Sequence, residues 1–298
     1  MTELKKATTF KEQVTLLRDK NIVIEDEDTC LEFLRHVNYY RLSGYYLPYM
    51  DREKNQCFKP TKFSRIYDTY IFDAKLRSLI LSAVETIEVF LRSQLAQYHS
   101  LKYGPEGYMK PSSFREDYDH KAFLDHINQC IEENKKNHII MHHNKKYNGH
   151  FPLWVIIEFF PIGMLSYFYK GMINADKSYI AASLYGTNYQ SMESWLRCLT
   201  DLRNCCAHYS RIYYRKFSAL PRIPGPLNYT PTRRAFAQIC VLKFLYPEII
   251  KWRKEVFDPL KALIMKYKGS ISLNHLDFPH DRWKELLYEK TPATEACG

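Results

Sequence analysis

The chain has 298 residues, of which 46% are hydrophobic and 15% aromatic. A chain of this length and composition can bury a large core, which excludes a disordered protein and allows one large domain or two closely packed ones. Lysine and arginine exceed aspartate and glutamate by ten, and the pI is near 9.0. This balance favours polyanionic partners, nucleic acid first and anionic membrane second.

Targeting and metal signals are weak. No run of 18 apolar residues occurs, and the first nine residues lack the apolar centre of a signal peptide. We therefore expect a cytoplasmic protein that does not bind membranes. The eight cysteines are scattered without a C-x-x-C pair, which indicates neither a zinc site nor a disulfide framework. We expect reduced core cysteines and no cofactor.

The first sixty residues combine helical and aromatic patterns. Residues 10–20 are typical of a short helix, and Asp26 or Asp28 is placed to cap a second one. The aromatic stretch 39–49 is broken by glycine and proline, which predicts a buried, irregular connection that either fills the core or contacts RNA. Residues 52–60 predict a loop or small hairpin.

A long helical pattern follows over residues 62–103, with Thr61 as its expected cap. The span contains neither proline nor glycine, but it exceeds the usual helix length, so we expect a break near residues 72–73. Glu88 and Arg92 lie four residues apart on this helix. Such a pair is ordinarily a solvated ion pair.

Shorter helices are predicted in the middle of the chain. Asp117 or Asp119 is placed to open one helix, and the run 135–146 is basic. His138 and His142 in that run could share a metal on a helix, but no nearby acidic residue or cysteine completes the set, so a solvated basic helix is favoured.

Polar residues occupy one face of the helix with the clearest pattern, which we expect Ser191 to cap. Its apolar residues recur at steps of three and four and predict one buried stripe. They are Met192, Trp195, Leu196, Leu199, Leu202, Cys206, Tyr209 and Tyr213. At about 100° per residue, the opposite face is polar. That face comprises Asn204, His208, Arg211 and Arg215.

Arg203 lies about 140° from His208 on the same wheel, at the border of the stripe. Three arrangements bring the two side chains together: the arginine curls round the border, the helix bends, or a second copy of the chain completes the site. All three are compatible with the sequence.

A proline-rich loop after residue 217 ends the helical pattern. Thr230 or Thr232 is then expected to start a helix over 235–245 that packs on the motif helix. A further helix over about 247–267 follows, with Trp283 in a last packed element.

Five stretches carry a resemblance. They are R-N-C-C-A-H-Y-S-R at 203–211, N-Y-Y-R-L-S-G-Y at 38–45, F-D-A-K-L-R at 72–77, E-T-I-E-V-F-L-R at 85–92 and P-L-W at 152–154. They resemble motifs of the Abi-like abortive-infection family of the AbiD/AbiF type, in the same order, and the first resembles the R-polar-x3-H signature of HEPN ribonucleases.

The resemblance implies an all-α, HEPN-like helical bundle with N-terminal and C-terminal helical additions and little sheet. In this division residues 1–60 form an N-terminal helical and aromatic segment packed on the core, 61–268 the HEPN-like domain and 269–298 the C-terminal tail.

The resemblance also implies a metal-independent endoribonuclease. A base removes the proton of the RNA 2′-hydroxyl, which attacks the neighbouring phosphate, and an acid protonates the leaving 5′-oxygen. His208 would be the acid or base, Arg203 would hold the phosphate, and Asn204 would orient phosphate or imidazole. Arg211 and Arg215 would bind the RNA backbone.

Two further expectations follow from the resemblance. Arg92, oriented by Glu88, would face His208 and help to hold phosphate. Because each chain carries one R-N-x3-H motif, a homodimer would form a composite site, in a phage-defence or toxin-type effector with an RNA substrate and a regulatory or antitoxin RNA. The alternative is a non-catalytic module that grips a structured regulatory RNA. A membrane-embedded protease of similar label is excluded by the missing spans.

Overall fold

The computed structural model describes residues 6–51 and 53–289, and the predicted all-α class is confirmed there. The helices are α1 (Phe10–Asp19), α2 (Glu27–His36), α3 (Tyr39–Tyr46), α4 (Phe63–Tyr103), α5 (His120–Glu133), α6 (His138–Lys146), α7 (Leu153–Ile156), α8 (Ile162–Gly171), α9 (Asn174–Tyr185), α10 (Tyr189–Ala207), α11 (Ala235–Leu245), α12 (Ile249–Trp252), α13 (Asp258–Tyr267) and α14 (Trp283–Tyr288).

The strands of the described residues are two residues long each. They are β1 (Ile22–Val23), β2 (Met50–Asp51), β3 (Gln56–Cys57) and β4 (Thr61–Lys62). β1 pairs with β4 in parallel, and β2 pairs with β3 in an antiparallel hairpin, as the sequence predicts for this region. Thr61 therefore belongs to a strand, and the expectation that it caps α4 is wrong.

Helix α4 is continuous over 41 residues, so the predicted break near residues 72–73 is wrong. At 1.5 Å per residue it is about 60 Å long. No proline or glycine interrupts it, and α3, α7, α8, α10, α11 and α13 all pack along it. Burial against these neighbours supplies the stability that an isolated helix of this length would lack.

The aromatic stretch after α2 is also more regular than expected, because residues 39–46 form α3. The Asn38 side chain accepts a hydrogen bond from the backbone N–H of Tyr40 and caps this helix. Tyr45 and Tyr46 are buried in the core, whereas Tyr40 is 86% exposed. Tyr45 and Tyr46 therefore fill the core, as one interpretation of this stretch predicted, whereas Tyr40 does not.

Helix α10 carries the polar motif and packs between α4, α8, α9 and α11. Asn188, rather than the expected Ser191, caps it by accepting from the Ser191 N–H. The predicted stripe is buried up to Cys206, and the predicted packing of α11 on this helix is confirmed. Tyr209 is 70% exposed, since the helix has ended by that residue.

One hydrophobic core runs through the described residues from Val14 to Leu287. The cysteines of this part of the chain are buried and free, as expected, while Cys297 lies outside the described residues. None of the described helices is long and apolar enough to cross a bilayer.

Candidate functional site

The motif residues lie at the C-terminal end of α10. Asn204 and His208 are exposed and four residues apart, so they share one side of the helix. His208 is the C-terminal capping residue, and its backbone N–H donates to the Asn204 carbonyl over 3.1 Å. The residue is exposed, and its imidazole forms no hydrogen bond with any residue that the structure describes.

The Arg203 guanidinium turns towards this side of the helix. Its Nη1 donates to Asn204 Oδ1 over 3.4 Å, and the side chain is half-buried at the border of the stripe. Helix α10 is continuous to Ala207. The contact with Asn204 is compatible with an arginine that curls round the border, and a site shared with His208, within one chain or across two, stays a prediction.

A tight turn follows His208. The N–H of Tyr209 donates to the Cys206 carbonyl over 3.0 Å, and that of Ser210 donates to the Cys205 carbonyl over 2.9 Å. This pairing is a Schellman motif, whose central residue is usually glycine. Here Tyr209 takes the left-handed conformation, with φ of 55°. The helical wheel therefore stops applying after His208.

Arg211 and Arg215 consequently leave the face on which the sequence placed them. Arg211 folds back onto α3, where a Cβ on Gly44 would lie 3.3 Å from three guanidinium atoms. Its Cζ lies 6.0 Å from the centre of the Tyr45 ring. Burial lowers the pKa of Arg211 below its ordinary value. Arg215 is exposed and lies over the Phe217 ring.

Asp73 lies buried beneath this turn, although its position in the sequence does not predict a place in the site. The fully buried carboxylate accepts from the backbone N–H groups of Ile212 and Tyr213, over 3.1 and 2.7 Å. It also accepts from the Tyr45 hydroxyl over 2.7 Å and forms an ion pair with Arg77. The available signal was an acidic and a basic residue four apart within the buried stripe of α4.

Helix α3 fixes the turn from the other side, because Arg41 donates to the Tyr209 carbonyl. The Cys205 thiol adds a contact to the Ser210 carbonyl at 3.7 Å. The resembling stretches 38–45, 72–77 and 203–211 thus meet at one place. Their shared task is to hold the chain immediately after His208.

Arg92 and Glu88 lie elsewhere on α4. Arg92 Nη2 donates to Glu88 Oε1 over 2.6 Å and to the Phe160 carbonyl over 2.9 Å. The two side chains are only 16% and 12% exposed, so the solvated interpretation is wrong. Arg92 comes fifteen residues after Arg77, about 22 Å further along the helix. It therefore does not face His208 of its own chain.

Residues 138–146 of the basic run 135–146 form helix α6, which Asn137 caps. Among residues 6–51 and 53–289, no three histidine, cysteine or acidic side chains are grouped so that they could hold a metal ion. His138 and His142 thus have no third ligand in the described part of the chain.

Similarity to a protein family extends over most of the chain. A family model described as Abi-like protein matches residues 32–214, more than half of the chain. The match includes the three stretches that meet at the turn. No curated protein and no solved structure matches the chain. On this match, the chain belongs to the family of Abi-like proteins, which implies a role in abortive infection, the defence of bacteria against phage.

Proposed function

We propose that this Abi-like protein is a metal-independent endoribonuclease of the HEPN type that cleaves RNA during phage defence. The observation that carries the proposal is the exposed group at the end of α10. There an imidazole with no hydrogen-bond partner among residues 6–51 and 53–289 lies on the same side as Asn204, and the guanidinium of Arg203 reaches that asparagine. Acid–base and charge-stabilising groups are thus present on one surface.

The chemistry needs a proton acceptor for the 2′-hydroxyl and a proton donor for the 5′-oxygen. As the 2′-oxygen bonds to phosphorus, the bond to the 5′-oxygen breaks, leaving a 2′,3′-cyclic phosphate and a 5′-hydroxyl. His208 fills one proton-transfer role, Arg203 stabilises the charge on the phosphate, and Asn204 keeps the guanidinium in place. Since each chain offers one motif histidine, a homodimer would supply the second.

The basic charge supports RNA as the substrate. The chain carries a net charge of +10, and Arg215 and the basic helix α6 expose cations near neutral pH. Phosphate contacts of this kind bind RNA without regard to sequence. The same observation favours the second candidate, a module that binds a structured regulatory or antitoxin RNA without cutting it.

The test compares His208→Ala with His280→Ala. His280 is also exposed, with 91% of its side-chain surface accessible, and it serves as the control. We expect His208→Ala to bind RNA but to lose cleavage and toxicity, while the control keeps both. Cleavage by the unmodified protein should persist in EDTA and leave cyclic phosphate ends. Equal toxicity of the two variants would favour the binding module instead.

A further inference from the structure

A groove of about 460 Å³ opens beside the turn that carries His208. It lies between α4, the junction of α2 and α3, and the residue after the motif histidine. Side chains that line it include Asn38, Arg41, Tyr70, Arg77, Ser78 and Tyr209. Its volume is in the range of sites that hold one small organic group, such as a nucleotide.

The charge of the groove suits an anion. Among the described residues that line it, none is acidic. Arg77 is already neutralised by Asp73, but Arg41 has no carboxylate within ion-pair distance in the described chain. Its guanidinium donates to the Tyr209 carbonyl and lies 5.9 Å from the centre of the Tyr70 ring. A guanidinium has five N–H donors, so several remain for a phosphate.

The aromatic content of the groove suits a base. The Tyr209 ring is 70% exposed although it adjoins the candidate catalytic histidine. An exposed ring beside a cation is the pairing that proteins use to bind unpaired nucleotides, with a base on the ring and phosphate on the cation. A base inside a duplex cannot reach such a ring without leaving its own stack.

We propose that this groove receives an unpaired nucleotide next to the cleaved bond, with its base on Tyr209 and its phosphate on Arg41. The position of the cleaved bond rests on the proposed function of His208. The substrate class is therefore single-stranded RNA, or an unpaired loop within a folded RNA. Duplex RNA lacks a free base to place in the groove.

The first experiment measures binding of a short, unstructured, fluorescein-labelled RNA by anisotropy, with every variant made in the His208→Ala protein. Tyr209→Asn removes the ring, and asparagine tolerates the left-handed conformation. We expect it to weaken binding about tenfold, as loss of one stacked base does. Tyr209→Phe should bind as the parent does. Tyr40→Ala, which removes an 86% exposed tyrosine outside the groove lining, is the control and should also bind normally.

A spectroscopic readout distinguishes stacking from a general loss of structure. The RNA carries 2-aminopurine at successive positions, and stacking on an aromatic ring quenches its fluorescence. We expect quenching at a position adjacent to the cleaved bond, which Tyr209→Phe keeps and Tyr209→Asn loses. Equal quenching in both variants would overturn the proposal.

A second pair of variants blocks the groove without touching the turn. Ser78 is exposed on α4 and lines the groove, whereas Ser82, one turn later, is exposed but outside the lining. Ser78→Trp should weaken RNA binding about tenfold, and Ser82→Trp should leave it unchanged. If Ser78→Trp instead separates a dimer and spares RNA binding, the groove is an interface between copies and the proposal fails.

The two proposals fail in different ways. If the protein with His208 intact cleaves RNA but Tyr209→Asn and Ser78→Trp bind RNA as the parent does, only the groove assignment is lost. If neither the unmodified protein nor His280→Ala cleaves RNA, while the two groove variants still weaken binding selectively, the groove binds RNA in a non-catalytic protein. The nuclease assignment then fails, and so does the groove's relation to a cleaved bond.

Discussion

Helix α4 carries two buried acid–arginine pairs with the same spacing, and they have different tasks. Asp73 pairs with Arg77 and also accepts from two backbone N–H groups of the segment after the motif helix. Glu88 pairs with Arg92, which donates onward to the Phe160 carbonyl ahead of α8. The first pair anchors the turn after His208, and the second pair binds the segment that precedes α8. Spacing alone predicts the pair but not what the pair supports.

The largest effect is expected from Asp73→Asn. It leaves the Arg77 guanidinium buried without its counter-charge, and it turns an amide N–H towards N–H donors. Breaking such a pair costs about 3–5 kcal/mol in the free energy of unfolding. Cleavage should fall as well, because the turn after His208 loses its anchor. Urea denaturation and RNA cleavage assays measure the two effects.

The matched control is the double variant Asp73→Asn with Arg77→Met. Because the partner charge is also removed, the double variant should lose less stability than the sum of the two single variants. A loss below about 1 kcal/mol for Asp73→Asn alone would contradict the anchoring role, since a buried charge would then cost almost nothing.

His99 is a further buried polar residue on α4, and it differs from the two acid–arginine pairs. Neither of its ring nitrogens has a hydrogen-bond partner in the described chain. Rings of Tyr103, Phe114 and Phe168 surround it. Burial lowers the pKa of His99 to about 4. The unfolded chain, with an ordinary histidine pKa of about 6.5, binds the proton first as pH falls. Stability is therefore lost between pH 6.5 and 4.

That loss amounts to about 3 kcal/mol from His99 at the acidic end. The variant His99→Phe has no proton to bind, so its free energy of unfolding should fall less steeply over the same pH window. Denaturation at pH 7, 5.5 and 4 measures the difference, with exposed His280→Ala as the control. Parallel curves for His99→Phe and the parent would mean that the histidine is not buried in its neutral form.

Glu88→Gln tests whether the second pair is separate from the site. The amide keeps the size of the side chain but removes the nearer counter-charge of Arg92, while Glu158 Oε2 stays 4.0 Å from Nη1. We expect a loss of about 2 kcal/mol in the free energy of unfolding. Cleavage should change less than about twofold, since the pair is about 22 Å along α4 from Arg77. A loss of cleavage like that of Asp73→Asn would place Arg92 in the site after all, across a dimer.

The sequence predicted the helices best where apolar periodicity was strong and glycine marked the end. Helix α9 ends at Gly186 in the left-handed conformation, which is usual for a glycine after a helix. Helix α10 ends at Ala207, and the left-handed residue after its cap is Tyr209 rather than a glycine. The sequence therefore contains no signal for the turn, and helical spacing was extended to Arg211 and Arg215. The length of α4 was missed for another reason, because tertiary packing along it is not visible locally.

The candidate site was predictable in part. Helical spacing predicted that Asn204 and His208 share one face and that Arg203 lies at its border. In the structure all three residues lie at the C-terminal end of α10, where Arg203 donates to Asn204. The anchor was not predictable, because Asp73 binds backbone N–H groups about 140 residues away and every residue except proline offers one. A pattern of side-chain types therefore does not predict such a contact.

The smallest expected effect concerns the turn itself and has the opposite sign. Tyr209 holds a left-handed conformation that costs a non-glycine residue about 1 kcal/mol. Tyr209→Gly should therefore raise the free energy of unfolding by about 0.5–1 kcal/mol, because the exposed tyrosine ring contributes little packing.

Ser210→Gly is the control. The φ of Ser210 is not positive, so glycine there should lower the free energy of unfolding by a similar amount. If Tyr209→Gly is more stable than the unmodified protein but binds RNA less tightly, the strained conformation is retained because the tyrosine ring binds RNA. The end of α10 is then adapted for binding rather than for stability. If Tyr209→Gly is less stable, the ring packs in the turn and the strain is structural.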